Sequence, residues 1–286
     1  MDTDPTTKMN ELPLVSCLVA TRNRRPFLHM FLECFRAQTY PLDKVELLVC
    51  DDGTDAVEDV FAVPLCAGAA HVDYWRPDAP ITLGAKRNLM NRRARGDVLV
   101  YFDDDDFYPP SRIMHAVTSL AANPNALVAG CTTLYMYFNE TKRIMKCGPY
   151  GTNHCTAASM AFKKELLQIT QYDEASLVGE EKAFLKGHTI PLLELDPLQT
   201  VLAMSHEHSS CNKALMLANP HRFQLRMATN VTPNMFGMTA SAQDFYMKAV
   251  HRALSSFPLG ARTACKKDIN EEVSRRQQKQ KQLKEG

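Results

Sequence analysis

Four consecutive carboxylates, Asp103, Asp104, Asp105 and Asp106, follow directly on the apolar run Val98 to Phe102. Charges do not sit inside a buried strand, so the run reads as a strand and the aspartates as the point where it leaves the sheet. In open α/β sheets, ligands bind in the crevice beyond the carboxyl ends of the strands, which makes this acidic stretch the candidate site. Adjacent carboxylates raise one another's pKa unless a positive charge lies among them. A hard divalent cation, Mg2+ or Mn2+, is the economical answer, held by one or two carboxylates together with substrate phosphates. The competing reading is a solvated acidic turn that opens a helix at Ser111, where acids suit the helix dipole.

Other residues capable of chemistry are scattered along the chain. Glu180 and Glu181 follow Gly179 at a helix start, a place that acids favour on dipole grounds. Lys86 and Arg87 fall in the first turns of a helix opening at Leu83, which the dipole disfavours unless they face an anion; the alternative is two solvated side chains. His206 and His208 come just after an apolar run, and strand alternation would put both imidazoles on one face, against the alternative of ordinary surface or core histidines. Trp75 reads as a packed strand end rather than a stacking platform, and His154 and His188 receive no role.

These residues need a scaffold, and its elements follow from the pattern. Leu14 to Ala20 and Val45 to Cys50 read as strands, the second closed by Asp51, Asp52 and Gly53. Between them Phe27, Met30, Phe31, Cys34 and Phe35 recur at helical spacing behind Pro26, so the unit is β-α-β with parallel strands. His71 to Trp75 is a short strand, and Gly96 ends the helix that opens at Leu83. Ile113 to Leu120 reads as a helix and Ala126 to Cys131 as a strand. Leu134 to Phe138 and Arg143 to Lys146 form a hairpin about Asn139 to Lys142. Thr156 to Phe162, made of small residues, suits a strand under a ligand, and Lys163 to Leu167 begins a helix. Leu192 to Leu195 and Thr200 to Met204 are short strands. Beyond Asn212 the pattern is helical with breaks at prolines, and residues 266–286 form a charged, Gln-rich helix or tail without a core.

Composition narrows the class. The 286 residues carry 33 basic and 32 acidic side chains, a net charge of +1, which argues against nucleic acid as a partner. Nine cysteines, an odd number with no CxxC pair, suggest free thiols in a reducing compartment. The N-terminus is polar and acidic, and no apolar run reaches the roughly 20 residues of a membrane span. The expectation is a soluble, cytoplasmic protein.

Taken together, residues 13 to 212 resemble the family 2 glycosyltransferases, inverting nucleotide-sugar enzymes with the GT-A fold. Val15 to Arg24 is similar to the family's first strand and nucleotide-contacting turn, which implicates Thr21, Arg22 and Arg24. Cys50 to Asp55 resembles the second strand end, where an aspartate, here Asp52, holds the uracil ring. Gly84 to Asn88 resembles the helix start near the diphosphate, with Lys86 and Arg87 as its cations. Asp103 to Asp106 falls on the DxD position, and Tyr108, Pro110 and Arg112 continue the usual sequel. On this resemblance Asp105 is the firmest metal ligand, Asp103 acts directly or through water, Asp104 touches ribose or ion, and Asp106 joins the metal shell or caps the next helix. Some relatives complete the shell with a late histidine, which implies His206 or His208, with Asn212 following. Glu180 and Glu181 stand at the family's Glu-Asp pair, whose second member is the base; Glu181 replaces that Asp with a side chain longer by a methylene.

The resemblance implies an α/β fold with a mostly parallel, mixed sheet. It divides the chain into a disordered lead-in (1–12), a catalytic domain (13–212) with a nucleotide-sugar half (13–110) and an acceptor half (111–212), and a helical C-terminal extension (213–286). It implies a metal-dependent inverting transfer of a hexosyl or pentosyl group from a UDP-sugar to a hydroxyl of a glycan or glycoconjugate. Two rivals remain: a nucleotidyltransferase, against which the glycine-free turn Thr21 to Arg25 counts, and a non-catalytic nucleotide-sugar-binding module.

Overall fold

The structure, a computed structural model, describes residues 12–62, 66–177, 179–209 and 213–255. Most of the expected lead-in, Asn212 and the charged tail lie outside the described residues. The first half runs β1 (Val15–Thr21), α1 (Arg25–Arg36), β2 (Val45–Asp51), α2 (Glu58–Phe61), β3 (His71–Trp75), α3 (Leu83–Arg93) and β4 (Val98–Tyr101). β1 and β2 are rich in β-branched and apolar residues because both their faces are covered, and every residue of β2 is buried. α1 starts with Pro26 in its first turn and turns Phe27, Leu28, Met30, Phe31, Leu32, Cys34 and Phe35 inward.

The second half adds α4 (Arg112–Ala122), β5 (Val128–Gly130), β6 (Leu134–Phe138), β7 (Arg143–Cys147), β8 (Ala161–Lys163), α5 (Glu181–Phe184), β9 (Leu192–Glu194), β10 (Leu202–Ser205), α6 (Lys213–Ala218), β11 (Leu225–Met227), α7 (Ala240–Asp244) and α8 (Val250–Ser255). The main sheet has the order β3-β2-β1-β4-β8-β5-β9. β1 to β4 are parallel, β8 is antiparallel to both β4 and β5, and β9 is parallel to β5. A second sheet, β10-β6-β7-β11, contains the expected hairpin. Apolar clusters fill both faces of the central strands of the main sheet.

Four expectations are corrected. Thr156 to Phe162 is not one strand: a 3-10 turn over Ala157–Ser159 precedes β8, and the helix expected from Lys163 is another 3-10 turn, Lys164–Gln168. The segment after 212 is not helical throughout, because Leu225–Met227 pairs with β7. A three-residue strand carries too little alternation to be read from sequence. β10 ends at Ser205, so His206 and His208 lie in the turn after the strand rather than alternating along it.

Candidate active site

The acidic stretch leaves the sheet between β1 and the antiparallel β8, and its backbone is fixed on both sides. The Phe102 amide donates to the Leu18 carbonyl at 3.0 Å, and the Asp103 amide donates to the Tyr108 hydroxyl at 2.8 Å. The Tyr108 ring stacks on Phe102 at 4.2 Å, so the aromatic residue just past the acids acts as the floor of the turn.

The four aspartates have four different fates. Asp103 is the most open, with its side chain 33% exposed, and lies 3.6 Å from Arg87 Nη2. Asp104 is buried 3.5 Å from Arg24 Nε, and its Oδ2 has no hydrogen-bond partner; burial, opposed by Arg24, pushes its carboxyl up to about 7. Asp105 Oδ2 receives both Arg24 Nη2 and His206 Nε2 at 3.0 Å. Burial pushes that carboxyl up, but the Arg24 guanidinium and the His206 hydrogen bond outweigh it and hold it well below the usual carboxylate range. Asp106 turns away and accepts from the Met204 amide of β10 at 2.8 Å, so it ties the two sheets together and neither caps α4 nor faces the crevice.

Arg24, one residue before α1, organises this end of the site. Besides Asp104 and Asp105 it donates from Nη1 to the His208 carbonyl at 2.7 Å. The His208 amide in turn donates to His206 Nδ1 at 3.2 Å, and the His206 ring packs on Phe27 with centroids 4.7 Å apart. Burial lowers the His206 pKa to about 3, so the ring is neutral.

α3 supplies the other two buried cations. Thr82 caps the helix by accepting from the Ala85 amide, and Gly84 lets it approach Asp173, whose carbonyl would stand 2.1 Å from a Cβ there. Lys86 Nζ reaches Asp52 Oδ1 at 2.5 Å and the Thr21 carbonyl at 3.1 Å. Arg22 lies 3.9 Å from Asp52. Arg87 donates from Nε to Glu180 Oε1 at 2.7 Å and stands over the Tyr101 ring at 4.4 Å. The anions that Lys86 and Arg87 were expected to face are therefore, in this state, the protein's own Asp52 and Glu180.

Glu180 and Glu181 diverge for the same reason. Glu180 is spent on Arg87, while Glu181 Oε1 accepts only a 3.4 Å contact from the Ala157 amide and its Oε2, closed off from solvent, has none. Burial and the neighbouring Glu180 push the Glu181 carboxyl up to about 8. The arrangement provides one carboxylate, Asp105, held negative by Arg24 and His206, and one carboxyl, Glu181, poised to take or hold a proton.

Among the described residues, no group of three His, Cys, Asp or Glu side chains is placed to hold a metal ion by itself. Arg24 and Arg87 supply fixed positive charge to the acidic stretch. A shared ion nonetheless fits the donor set: Asp105 Oδ1 takes no hydrogen bond or ion pair from the described residues, and exposed Asp103 offers a second hard oxygen. The roles of Tyr108, Tyr101, Phe27 and the Ala157 amide were missed from the sequence. Only the aromatic character of Tyr101 and Tyr108 beside the acids was a visible signal.

The comparisons with known proteins agree with this frame. The model of glycosyl transferase family 2 matches residues 16–187, more than half of the chain, and the chain belongs to that family. A stretch of 109 residues is 31% identical to EpsH of Bacillus subtilis (strain 168), a glycosyltransferase by provisional assignment, covering 35% of this chain and 28% of that protein. Staphylococcus aureus TarS 1–349 in complex with UDP-GlcNAc superposes with a TM-score of 0.55 at 17% identity, over 68% of this chain and 59% of the other. The mannosyltransferase PcManGT of Pyrobaculum calidifontis, in complex with GDP-Man and Mn2+, gives a TM-score of 0.55 at 17% identity over 93% and 82%. The fold is GT-A, as expected. Among the described residues, no helix is long and apolar enough to cross a membrane.

Proposed function

We propose that the chain transfers a sugar, with inversion, from a nucleoside diphosphate sugar to an acceptor hydroxyl with the aid of a divalent ion, and that the donor nucleoside is uridine. The observation that carries the reading is the pairing of Asp105, a carboxylate held ionised beside the more open Asp103, with Glu181, whose pKa is raised and whose Oε2 has no partner. TarS, bound to UDP-GlcNAc, and PcManGT, bound to GDP-Man and Mn2+, share the fold and lend support to a nucleotide-sugar donor.

Asp103 and Asp105 would hold the ion, Mg2+ or Mn2+, which when bound stabilises charge on the departing diphosphate as a Lewis acid. Thr21, Arg22 and Asp52 line the nucleoside end, with Lys86 fixing Asp52. Arg87 and Arg24 place fixed positive charge beside the diphosphate end, where Arg87 also holds Glu180 in place. Asp104, behind Arg24, orients that guanidinium. Glu181 takes the proton of the attacking hydroxyl while the new bond to the anomeric carbon forms and the bond from that carbon to the diphosphate oxygen breaks on the opposite face. Glu181 must shed its own proton first. Its high basicity then favours removal of the hydroxyl proton.

The test is a panel of UDP- and GDP-sugars with Mn2+, read first by thermal shift and then by sugar transfer or donor hydrolysis. A ligand that binds only the folded state raises the melting temperature. Stabilisation by one UDP-sugar, dependent on Mn2+ and lost in Asp105→Ala, supports the reading. Stabilisation by no nucleotide sugar would overturn it.

A further inference from the structure

The turn after β10 brings two histidines to the acidic stretch, but the hydrogen bonds around them point in a direction that a metal shell does not need. His206 Nδ1 accepts the His208 amide at 3.2 Å, and a neutral imidazole whose Nδ1 accepts carries its proton on Nε2. That Nε2 faces Asp105 Oδ2 at 3.0 Å and therefore donates to it. A ligating histidine has the opposite arrangement: its lone pair is on the metal and its other ring N–H gives to a carbonyl, carboxylate or water. To ligate through Nε2, His206 would have to place a proton on Nδ1, directly against the His208 N–H.

That amide is not free to move aside. The His206 amide donates to Ser209 Oγ at 3.1 Å and the Ser209 amide to the His206 carbonyl at 2.9 Å, so the turn closes on itself. Arg24 clamps the His208 carbonyl at 2.7 Å, and Phe27 covers the His206 ring. Access agrees with direction. The side chain of Asp103 is 33% exposed, that of Asp105 14%, and that of His206 only 1%. An ion entering the crevice meets the two carboxylates first, with the imidazole behind Asp105.

We infer that His206 is a positioning residue: it fixes the Asp105 carboxylate through its Nε2–H, together with Arg24, and is not itself a ligand of the divalent ion. The inference rests on the metal-dependent reading of the same site. It leaves Asp105 Oδ1 as the atom presented to the ion, its orientation set by two donors on Oδ2.

Two measurements test it. Long-range 1H–15N correlation spectra of the full chain, with the His206 signals identified by their loss in His206→Gln, read the tautomer directly. The Nε2–H pattern should persist when Mg2+ and UDP are added; conversion to Nδ1–H would overturn the proposal. Mn2+ binding in the presence of UDP, followed by electron paramagnetic resonance, supplies the second readout. Loss of an outer partner costs about 10–100-fold in metal affinity, so His206→Ala should fall at the low end of that range, and His206→Gln, which restores an N–H near the Nε2 position, should recover most of it. A loss in His206→Gln as large as in Asp105→Asn would show that the imidazole is a ligand. If Asp105→Asn binds Mn2+ as the unmodified chain does, the metal site proposed at Asp105 fails, and the tautomer spectrum still decides what His206 does.

Discussion

Two acidic clusters face each other across the candidate site, and the protein treats them in opposite ways. At the end of β4, guanidinium and imidazole N–H groups converge on Asp105 and hold it charged. At the start of α5, Arg87 pairs with Glu180, and Glu181 next to it is left without a partner on Oε2. In the first cluster Asp105 stays anionic across the physiological range, as a ligand for a cation must. The second holds a proton until the site is assembled, as a site for proton transfer must. Sequence proximity is the same in both; what separates the roles is which acid receives the arginine.

Breaking the charged side should have the largest effect. Asp105→Ala removes the most strongly held carboxylate and the acceptor shared by Arg24 and His206, so kcat/KM for transfer should fall by about 10²–10³-fold, the scale seen when a preorganised electrostatic group is removed from an active site. Circular dichroism and melting temperature should show a folded chain. Transfer within tenfold of the unmodified chain would mean that the contrast between the clusters has no catalytic content.

Glu181→Gln addresses the other side and should lower kcat by about 10²–10⁴-fold, the range of general-base catalysis, with binding of a nucleotide donor nearly unchanged. The pH profile gives a second readout. The carboxyl must be ionised to accept a proton, and its pKa is pushed up to about 8, so kcat/KM should rise through a limb near that pH and level off above it. Stability should move the other way. Because the folded state keeps the proton that the unfolded chain releases near 4.5, this group's contribution is full below that value and is lost as pH rises through about 8. Melting curves of Glu181→Gln against pH should lack that decline.

Sharpening the comparison requires moving the arginine. Arg87→Lys keeps the charge but loses the planar fork that spans Glu180 and Asp103 and its stacking over Tyr101. Transfer should fall by about tenfold, the weight of roughly 1.4 kcal/mol. An unchanged rate would show that Arg87 does not set the division of labour.

The clusters themselves were legible in the sequence, because acids after an apolar run and acids after a glycine are local patterns that strand and helix ends dictate. The central sheet was legible for the same reason: β1, β2 and β4 are buried on both faces and announce themselves by composition. The partners were not. Arg24 and Asp105 are far apart in the chain, and Arg87 and Glu180 stand 93 positions apart, pairings that only the strand order creates. Short elements such as β11 fell below any periodic signal. The sequence displays the four acids, but not which guanidinium the fold delivers to each of them.

A third acid makes the smallest and most specific control. Glu46 is as buried as any residue in the site, yet it lies at the opposite end of β1 and β2, beside Ser16 in the register. It accepts from Ser16 Oγ and the Arg95 amide at 2.6 Å and from Arg95 Nε at 2.7 Å. Burial pushes this carboxyl up, but the Ser16 and Arg95 hydrogen bonds more than reverse that and leave it below its ordinary value. Its folded pKa is depressed, so its contribution is present above the unfolded value of 4.5 and is lost as pH falls below it. Glu46→Gln keeps the shape but surrenders charge-assisted bonds, and should cost about 1.5–3 kcal/mol in denaturant unfolding at neutral pH, with the difference closing in acid. Transfer per folded molecule should not change. If it falls as far as in Arg87→Lys, buried acids act on this enzyme through overall stability, and the division between a held carboxylate and a free one loses its explanatory force.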